Sequence, residues 1–242
     1  MVTQRQVFAY SGMIEGTGQP LGNADLARFA LSLTGKDSGQ NVCYVPTAVG
    51  DSPVATRAKS EEFAREHPQV RLSMLTLFTQ PNVEDIRGHL LSQDLILVEG
   101  GSVANLMAVW RVHGLPEILL ECWEAGVVLA GASAGSICWH TGGPTDSFGD
   151  ELAAFTDGLG LLPFSNGVHD DFPDQPRRRI YRDLVGSGAL SAGYATEDGV
   201  GLHYVGTKLH EAVTIKDRAN AWWVEPGRDG NYSEVAVPTR PL

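Results

Sequence analysis

The feature that most constrains this chain is the stretch Val127-Val128-Leu129-Ala130-Gly131-Ala132-Ser133-Ala134-Gly135-Ser136-Ile137-Cys138-Trp139. An apolar run with the character of a buried strand stops at a Gly-x-Ser-x-Gly turn, and a small-residue segment able to start a helix follows at once. That sequence has the form of a nucleophile elbow, in which a serine is held in strained backbone geometry and its hydroxyl is pushed out at the edge of a sheet. Glycines on either side are needed because side chains there would meet the neighbouring strand and helix. The next backbone N–H, that of Ala134, is then positioned to stabilise a developing oxyanion. Gly-x-Ser-x-Gly also occurs as an ordinary turn between a strand and a helix, so the rest of the chain has to support the chemistry.

The surrounding pattern predicts a doubly wound α/β fold. Val7 to Gly12, Asn41 to Thr47, Arg71 to Phe78, Leu95 to Val98 and the strand before Ser133 read as apolar strands. Between them, helices are predicted from Asn23 (closed by Gly35), over Val54 to His67, Val83 to Leu91 and Val103 to Val112, and around Pro116 to Ala125. Gly16 to Gly22 reads as a loop. Near-continuous apolar strands alternating with helices define a mostly parallel sheet covered on both faces, with a site at the carboxyl ends of its strands. After residue 140 the rhythm changes: Thr141 to Phe148 reads as a loop, Leu159 to Phe164 as a short apolar piece, and Asn166 to Pro176 as a polar loop. A helix is predicted over Arg177 to Val185. Short strands follow at Gly199 to Val205, Glu211 to Ile215, Ala221 to Val224 and Glu234 to Val237. Neither a linker nor a repeat interrupts residues 1–242, so one domain with a β-rich C-terminal part is expected.

Acidic residues outnumber basic ones by 29 to 18, for a net charge of −11 that argues against a nucleic-acid or anionic-membrane partner. Cys43, Cys122 and Cys138 lack the spacing of a disulfide framework or a thiolate zinc site and read as reduced core thiols. Met1 to Gln6 lacks the apolar core of a signal peptide, and the expectation is a cytoplasmic protein.

A serine nucleophile needs a base and an acidic group that fixes the base's tautomer. Of seven histidines, His67, His89 and His113 read as surface residues, His140 sits near the end of the helix that Ser133 begins, and His203 and His210 fall in the C-terminal strands. His169 lies in a loop after a late apolar piece, where a base can reach a nucleophile. Asp146 and Asp198 both suit the third role. Gly100-Gly101 suits a second oxyanion donor. His169-Asp170-Asp171 with Asp174 is a weaker candidate for a hard metal ion, without a second histidine at ligand spacing. Arg177-Arg178-Arg179 with Arg182 reads as a solvated helix face with one arginine turned inward.

Together, Gly100-Gly101-Ser102-Val103-Ala104-Asn105-Leu106, Ala132-Ser133-Ala134-Gly135, Thr145-Asp146-Ser147, His169 and Asp198-Gly199 resemble, in order and spacing, the peptidase E (aspartyl dipeptidase) family of serine peptidases. The resemblance implies a flavodoxin-like, class I glutamine amidotransferase-like fold, with Ser133 as nucleophile, His169 as base and the backbones of Gly101 and Ala134 as oxyanion hole. For the triad acid it matches both Asp146 and Asp198, with Asp146 placed ahead. It implies a short peptide as substrate and no cofactor or catalytic metal; a monomer or homodimer is expected, and Gly100, Ser102, Arg177 and Arg178 are the substrate-binding candidates. The arginine that in the family follows the catalytic histidine and holds the substrate's aspartate aligns with Pro176, and Ser102 stands where many relatives have asparagine. Alternatives are cyanophycinase-like cleavage of β-aspartyl-arginine polymer and a non-catalytic binding protein on the same fold. A glutamine amidotransferase would need cysteine in place of Ser133.

Overall fold

The computed structural model describes residues 4–12 and 23–242. Its elements are β1 (Gln6–Tyr10), α1 (Asn23–Ser32), β2 (Asn41–Val45), α2 (Pro53–Glu66), β3 (Arg71–Met74), α3 (Ile86–Leu91), β4 (Leu95–Val98), α4 (Val103–Val112), α5 (Leu115–Ala125), β5 (Val128–Ala132) and α6 (Ala134–Ile137). They continue with β6 (Gly143–Thr145), β7 (Ala153–Phe155), β8 (Ser165–Gly167), α7 (Arg177–Gly186), β9 (Gly193–Thr196), β10 (Val200–Val205), β11 (Lys208–Thr214), β12 (Ala221–Pro226), β13 (Tyr232–Val237) and β14 (Thr239–Pro241).

The main sheet has eight strands in the order β14-β11-β10-β1-β5-β4-β2-β3. β1, β5, β4, β2 and β3 run parallel, while β10 joins β1 and β11 joins β10 antiparallel. Successive strand residues point to opposite faces, and two cores result. Val7, Ala9, Cys43, Val45, Ile96, Val98 and Leu129 face Met107 and Trp110 of α4 and Leu119 and Trp123 of α5. Phe8, Tyr10, Val42, Tyr44, Leu95, Leu97 and Ala130 face Leu26 and Ala30 of α1 and Phe63 of α2. Burial on both faces explains why the strands are continuously apolar; each buried Val, Leu, Ile, Phe or Met side chain contributes roughly 1.5–3 kcal/mol when removed from water. The architecture is the doubly wound, mostly parallel α/β sheet with a β-rich C-terminal part that the sequence pattern predicts. Among the described residues, no helix is long and apolar enough to cross a membrane.

The C-terminal part forms a second sheet in the order β13-β12-β9-β8, and β6 pairs with β7. Leu159 to Phe164 makes no strand; its Leu162 is buried as a core plug, and the short polar strand β8 follows. β3 ends at Met74 rather than Phe78, and α3 begins at Ile86 rather than Val83 because the Asp85 side chain accepts from Gly88 N–H and caps it. His67 is buried against the Phe63 ring rather than exposed. The three cysteines are free and buried, and burial pushes the Cys43 and Cys122 thiols up to about 12. The Gly16 to Gly22 loop and the Asn23 side chain lie outside the described residues.

Candidate active site

Ser133 joins β5 to α6 with φ 52° and ψ −112°, a backbone region that a residue with a Cβ occupies only when its surroundings hold it there. Here three backbone hydrogen bonds do so: the Ser133 amide donates to the Tyr10 carbonyl (3.0 Å), and the Ser133 carbonyl accepts from Ser136 and Ile137 N–H (2.9 Å each). The flanking glycines are obligatory. A Cβ at Gly131 would stand 2.2 Å from the Gly135 carbonyl oxygen, and one at Gly135 would stand 2.4 Å from that of Val98. At Gly100 a Cβ would come within 3.1 Å of the Ser133 Cβ, so this glycine keeps the serine side chain clear. Ser133 is half-buried between the buried Ala132 and Ala134.

His169 follows β8 and also has a positive φ, 57°. Its backbone N–H donates to Ser11 Oγ (3.1 Å), and Ser11 Oγ in turn contacts the Thr196 carbonyl (2.9 Å) and hydroxyl (2.7 Å). Tyr10 and Ser11 are consecutive residues at the end of β1, so one strand end anchors the Ser133 amide and the His169 amide side by side. Ser11 carries this positioning role unnoticed in the sequence; its signal is a hydroxyl residue just before Gly12 at a strand end.

The His169 ring is buried, and its Nδ1 lies 2.5 Å from Asp198 Oδ1. A carboxylate accepts, so Nδ1 carries the hydrogen and Nε2 keeps the lone pair. Asp198 occupies the turn between β9 and β10. Its own amide donates to Asp171 Oδ1 (2.7 Å), and the next amide, of Gly199, donates to the Gly12 carbonyl (2.7 Å). The structure therefore brings Asp198, not Asp146, to the histidine. Asp146 is exposed and accepts from Arg177 Nη2 (3.0 Å) and Gln175 Nε2 (3.1 Å). The contact thus falls to Asp198 and not to Asp146, which the resemblance placed ahead.

Arg177 opens α7 and is buried, with Nε lacking an acceptor among the described residues. Burial lowers its pKa, opposed by the Asp146 and Asp198 carboxylates. Arg178 is committed elsewhere: it donates to Asp170 Oδ2 (3.0 Å) and lies 4.2 Å over the Trp222 ring. Arg182 binds Asp170 Oδ1 (2.5 Å) and Glu234 Oε2 (2.7 Å). Two arginines, Arg177 and Arg182, thus turn inward, not one. With Asp170 held by two guanidiniums and Asp171 by the Asp198 amide, the acidic loop is spent on internal contacts rather than gathered as a metal cage.

Gly101 has φ 133°, and a Cβ there would stand 2.4 Å from the Ala48 carbonyl oxygen. The adjoining Ser102 amide donates to that carbonyl (2.9 Å), while Ser102 Oγ accepts from Asn105 N–H (3.2 Å) and caps α4. Ser102 is thereby a helix cap. Ala134 is the first residue of α6, where a backbone N–H has no intrahelical acceptor. Glu99, which the sequence reading passed over, lies beside these groups: its Oε1 accepts from Gly100 N–H (3.0 Å) and its Oε2 from the Tyr44 hydroxyl.

A mostly parallel sheet covered on both faces, with these residues at its strand ends, defines a doubly wound α/β protein with its candidate site at the carboxyl ends of its strands. A crystal structure of a Listeria monocytogenes EGD-e protein assigned to peptidase E covers 88% of this chain and 100% of its own, with TM-score 0.63 and 19% identity. A peptidase from an acI-B1 Actinobacterium covers 98% of this chain and 96% of its own, with TM-score 0.70 and 15% identity. The chain belongs to peptidase family S51, whose profile matches residues 14–212. It is also 32% identical to the uncharacterized peptidase YgaJ of Bacillus subtilis (strain 168), over 98% of this chain and 99% of that protein.

Proposed function

We propose that this S51 peptidase is a serine exopeptidase that hydrolyses dipeptides or short peptides. Ser133 is the nucleophile, His169 the base and Asp198 the acid that holds the base. The observation carrying this reading is the common anchor: Tyr10 and Ser11 hold the Ser133 and His169 amides on adjacent residues, and Asp198 sits 2.5 Å behind His169.

In the reaction, Ser133 Oγ attacks the scissile carbonyl carbon while His169 Nε2 takes the hydroxyl proton. Asp198 fixes the ring and stabilises its protonated form. The N–H groups of Gly101 and Ala134 receive the charge that develops on the carbonyl oxygen. His169 then returns the proton to the departing amine, and water attacks the acyl-enzyme by the same route in reverse. Arg177 supplies a positive group for a substrate carboxylate in an otherwise acidic protein. Pro176 stands where the aspartate-binding arginine of aspartyl dipeptidases aligns, so Arg177 is the residue that would take over that contact.

The test is hydrolysis of Asp-Xaa, Glu-Xaa, Gly-Xaa and Met-Xaa dipeptides and matching tripeptides, with and without chelator. Cleavage that resists chelator and is lost in Ser133→Ala supports the reading, and confinement to Asp-Xaa, abolished in Arg177→Gln, supports Arg177 as the residue that holds the aspartate. Cleavage surviving in folded Ser133→Ala contradicts it.

A further inference from the structure

Three ligand-type side chains meet on the β10–β11 hairpin. His203, His210 and Glu211 each offer one donor atom, and these atoms all lie within 4.8 Å of one another. Consecutive residues of a regular strand point to opposite faces, so His210 and Glu211 would not both face His203 across an unbroken ladder. The ladder is broken there. His203 pairs with Glu211 and Tyr204 with Leu209, which leaves His210 as the extra residue of a bulge that re-aims side chains. The His203 and His210 rings approach to 5.2 Å between centroids.

The protonation of His203 is set by a chain of hydrogen bonds. Gln6 Nε2 donates to the Leu33 carbonyl (2.9 Å), so Gln6 Oε1 is the atom facing His203 Nε2, at 2.9 Å. An amide oxygen only accepts; Nε2 therefore carries the hydrogen and Nδ1 keeps its lone pair. That Nδ1 is buried and has no hydrogen-bond partner among the described residues, on a side chain only 6% exposed. It points to Glu211 Oε1, 3.9 Å away. Glu211 Oε2 accepts from Arg240 Nε and Nη2 (2.8 Å each), which leaves Oε1 for another partner.

We propose that His203 Nδ1, His210 and Glu211 Oε1 form a binding site for a divalent transition-metal ion of zinc's type, with a further coordination position open to solvent. Two imidazoles and a carboxylate are the donor set such ions take, whereas magnesium and calcium prefer oxygen alone. Bonds of about 2.0–2.1 Å place tetrahedral ligand atoms roughly 3.4 Å apart, so the His203–Glu211 gap closes on a metal with a shift of about half an ångström. Gln6 plays the outer-shell part, orienting the ligating ring. Arg240 opposes the metal's charge. His203 lies in mid-strand, paired with Phe8, whereas Ser133 lies beyond the end of β5, so the ion is not routed into peptide hydrolysis.

The test uses the untagged full chain, stripped with chelator, then titrated with Zn²⁺ by calorimetry and with Co²⁺ by visible absorption. The expected result is one Zn²⁺ per chain, binding weakened roughly tenfold or more in His210→Ala and in Glu211→Gln, and binding tightened in Arg240→Gln. His210 and Arg240 are exposed, so these variants keep the fold. Absence of saturable binding by the wild type, or equal binding by His210→Ala, overturns the proposal.

Discussion

Asp198 Oδ1 stands 2.5 Å from His169 Nδ1, and the two residues follow neighbouring parallel strands, β8 and β9, of the smaller sheet. Asp198 lies on the turn where the chain leaves that sheet and enters β10 of the main one. The pair therefore depends on how the two sheets join. Asp198→Asn should cut kcat by about 10⁴ because the amide favours the wrong ring tautomer, whereas Asp146→Asn should cost less than about tenfold. Steady-state kinetics on a cleaved dipeptide, with circular dichroism to verify folding, distinguishes the two. Equal losses would contradict the assignment.

Two glycines packed around the elbow, Gly135 within it and Gly100 after β4, make opposite predictions. Gly135→Ala puts a Cβ 2.4 Å from the Val98 carbonyl oxygen, and backbone must move; a destabilisation of about 3 kcal/mol or more should appear in denaturant unfolding. Gly100→Ala crowds the Ser133 side chain, at 3.1 Å from its Cβ, while the nearest backbone atom, the Ala132 carbonyl oxygen, stays at an ordinary 3.5 Å. That variant should stay folded but lose activity, at least about tenfold, because the nucleophile is pushed from its place.

Arg177→Gln should raise KM for a carboxylate-bearing substrate about tenfold or more with little change in kcat, since a binding contact away from the reacting bond acts on ground and transition states alike. A substrate lacking that carboxylate should show no such change. A fall in kcat at constant KM would place Arg177 in the chemistry instead.

Stability should fall in mild acid. His140 is fully buried, its Nδ1 donating to the Ser136 carbonyl (2.8 Å) and its Nε2 facing the Tyr204 hydroxyl (3.3 Å), and burial pushes its pKa down to about 4. Above pH 6.5 the ring is neutral folded or unfolded and adds no pH dependence. Below that the unfolded chain takes up a proton that the folded one refuses, so stability drops as pH falls from 6.5 to 4, by on the order of 3 kcal/mol from this residue. His203, also held to about 4, adds to the same window. Urea unfolding between pH 7 and 4 should show the fall, and His140→Gln should flatten part of it. An unchanged slope in that variant would contradict the assignment.

The elbow was legible because its chemistry is local: Gly131 and Gly135 are glycine for a contact that five consecutive residues create among themselves and β4. The parallel strands were legible because both their faces are buried, so their apolar runs are continuous. His169 stood out by its place after a late apolar piece. Its partner did not, because Asp146 and Asp198 have the same turn-like neighbourhoods, and only the antiparallel seating of β10 on β1 decides which reaches His169. β8 was missed for a similar reason: Ser165-Asn166-Gly167 has no β propensity and is held by pairing with β9 and by buried side-chain bonds such as Ser136 Oγ to Asn166 Oδ1 (2.7 Å). Which arginines of the Arg177–Arg182 run turn inward was not legible, because Arg182 is held by Asp170 and Glu234 from other parts of the chain.

The most direct test of the account is covalent labelling by a serine-directed fluorophosphonate, followed by mapping of the modified peptide and assay of peptide hydrolysis on the same samples. The account predicts one label per chain on Ser133, loss of hydrolysis in proportion to labelling, no label in Ser133→Ala and much slower labelling in Asp198→Asn. A wild-type protein that hydrolyses peptides while Ser133 stays unlabelled, or that loses no activity when Ser133 is modified, would contradict it.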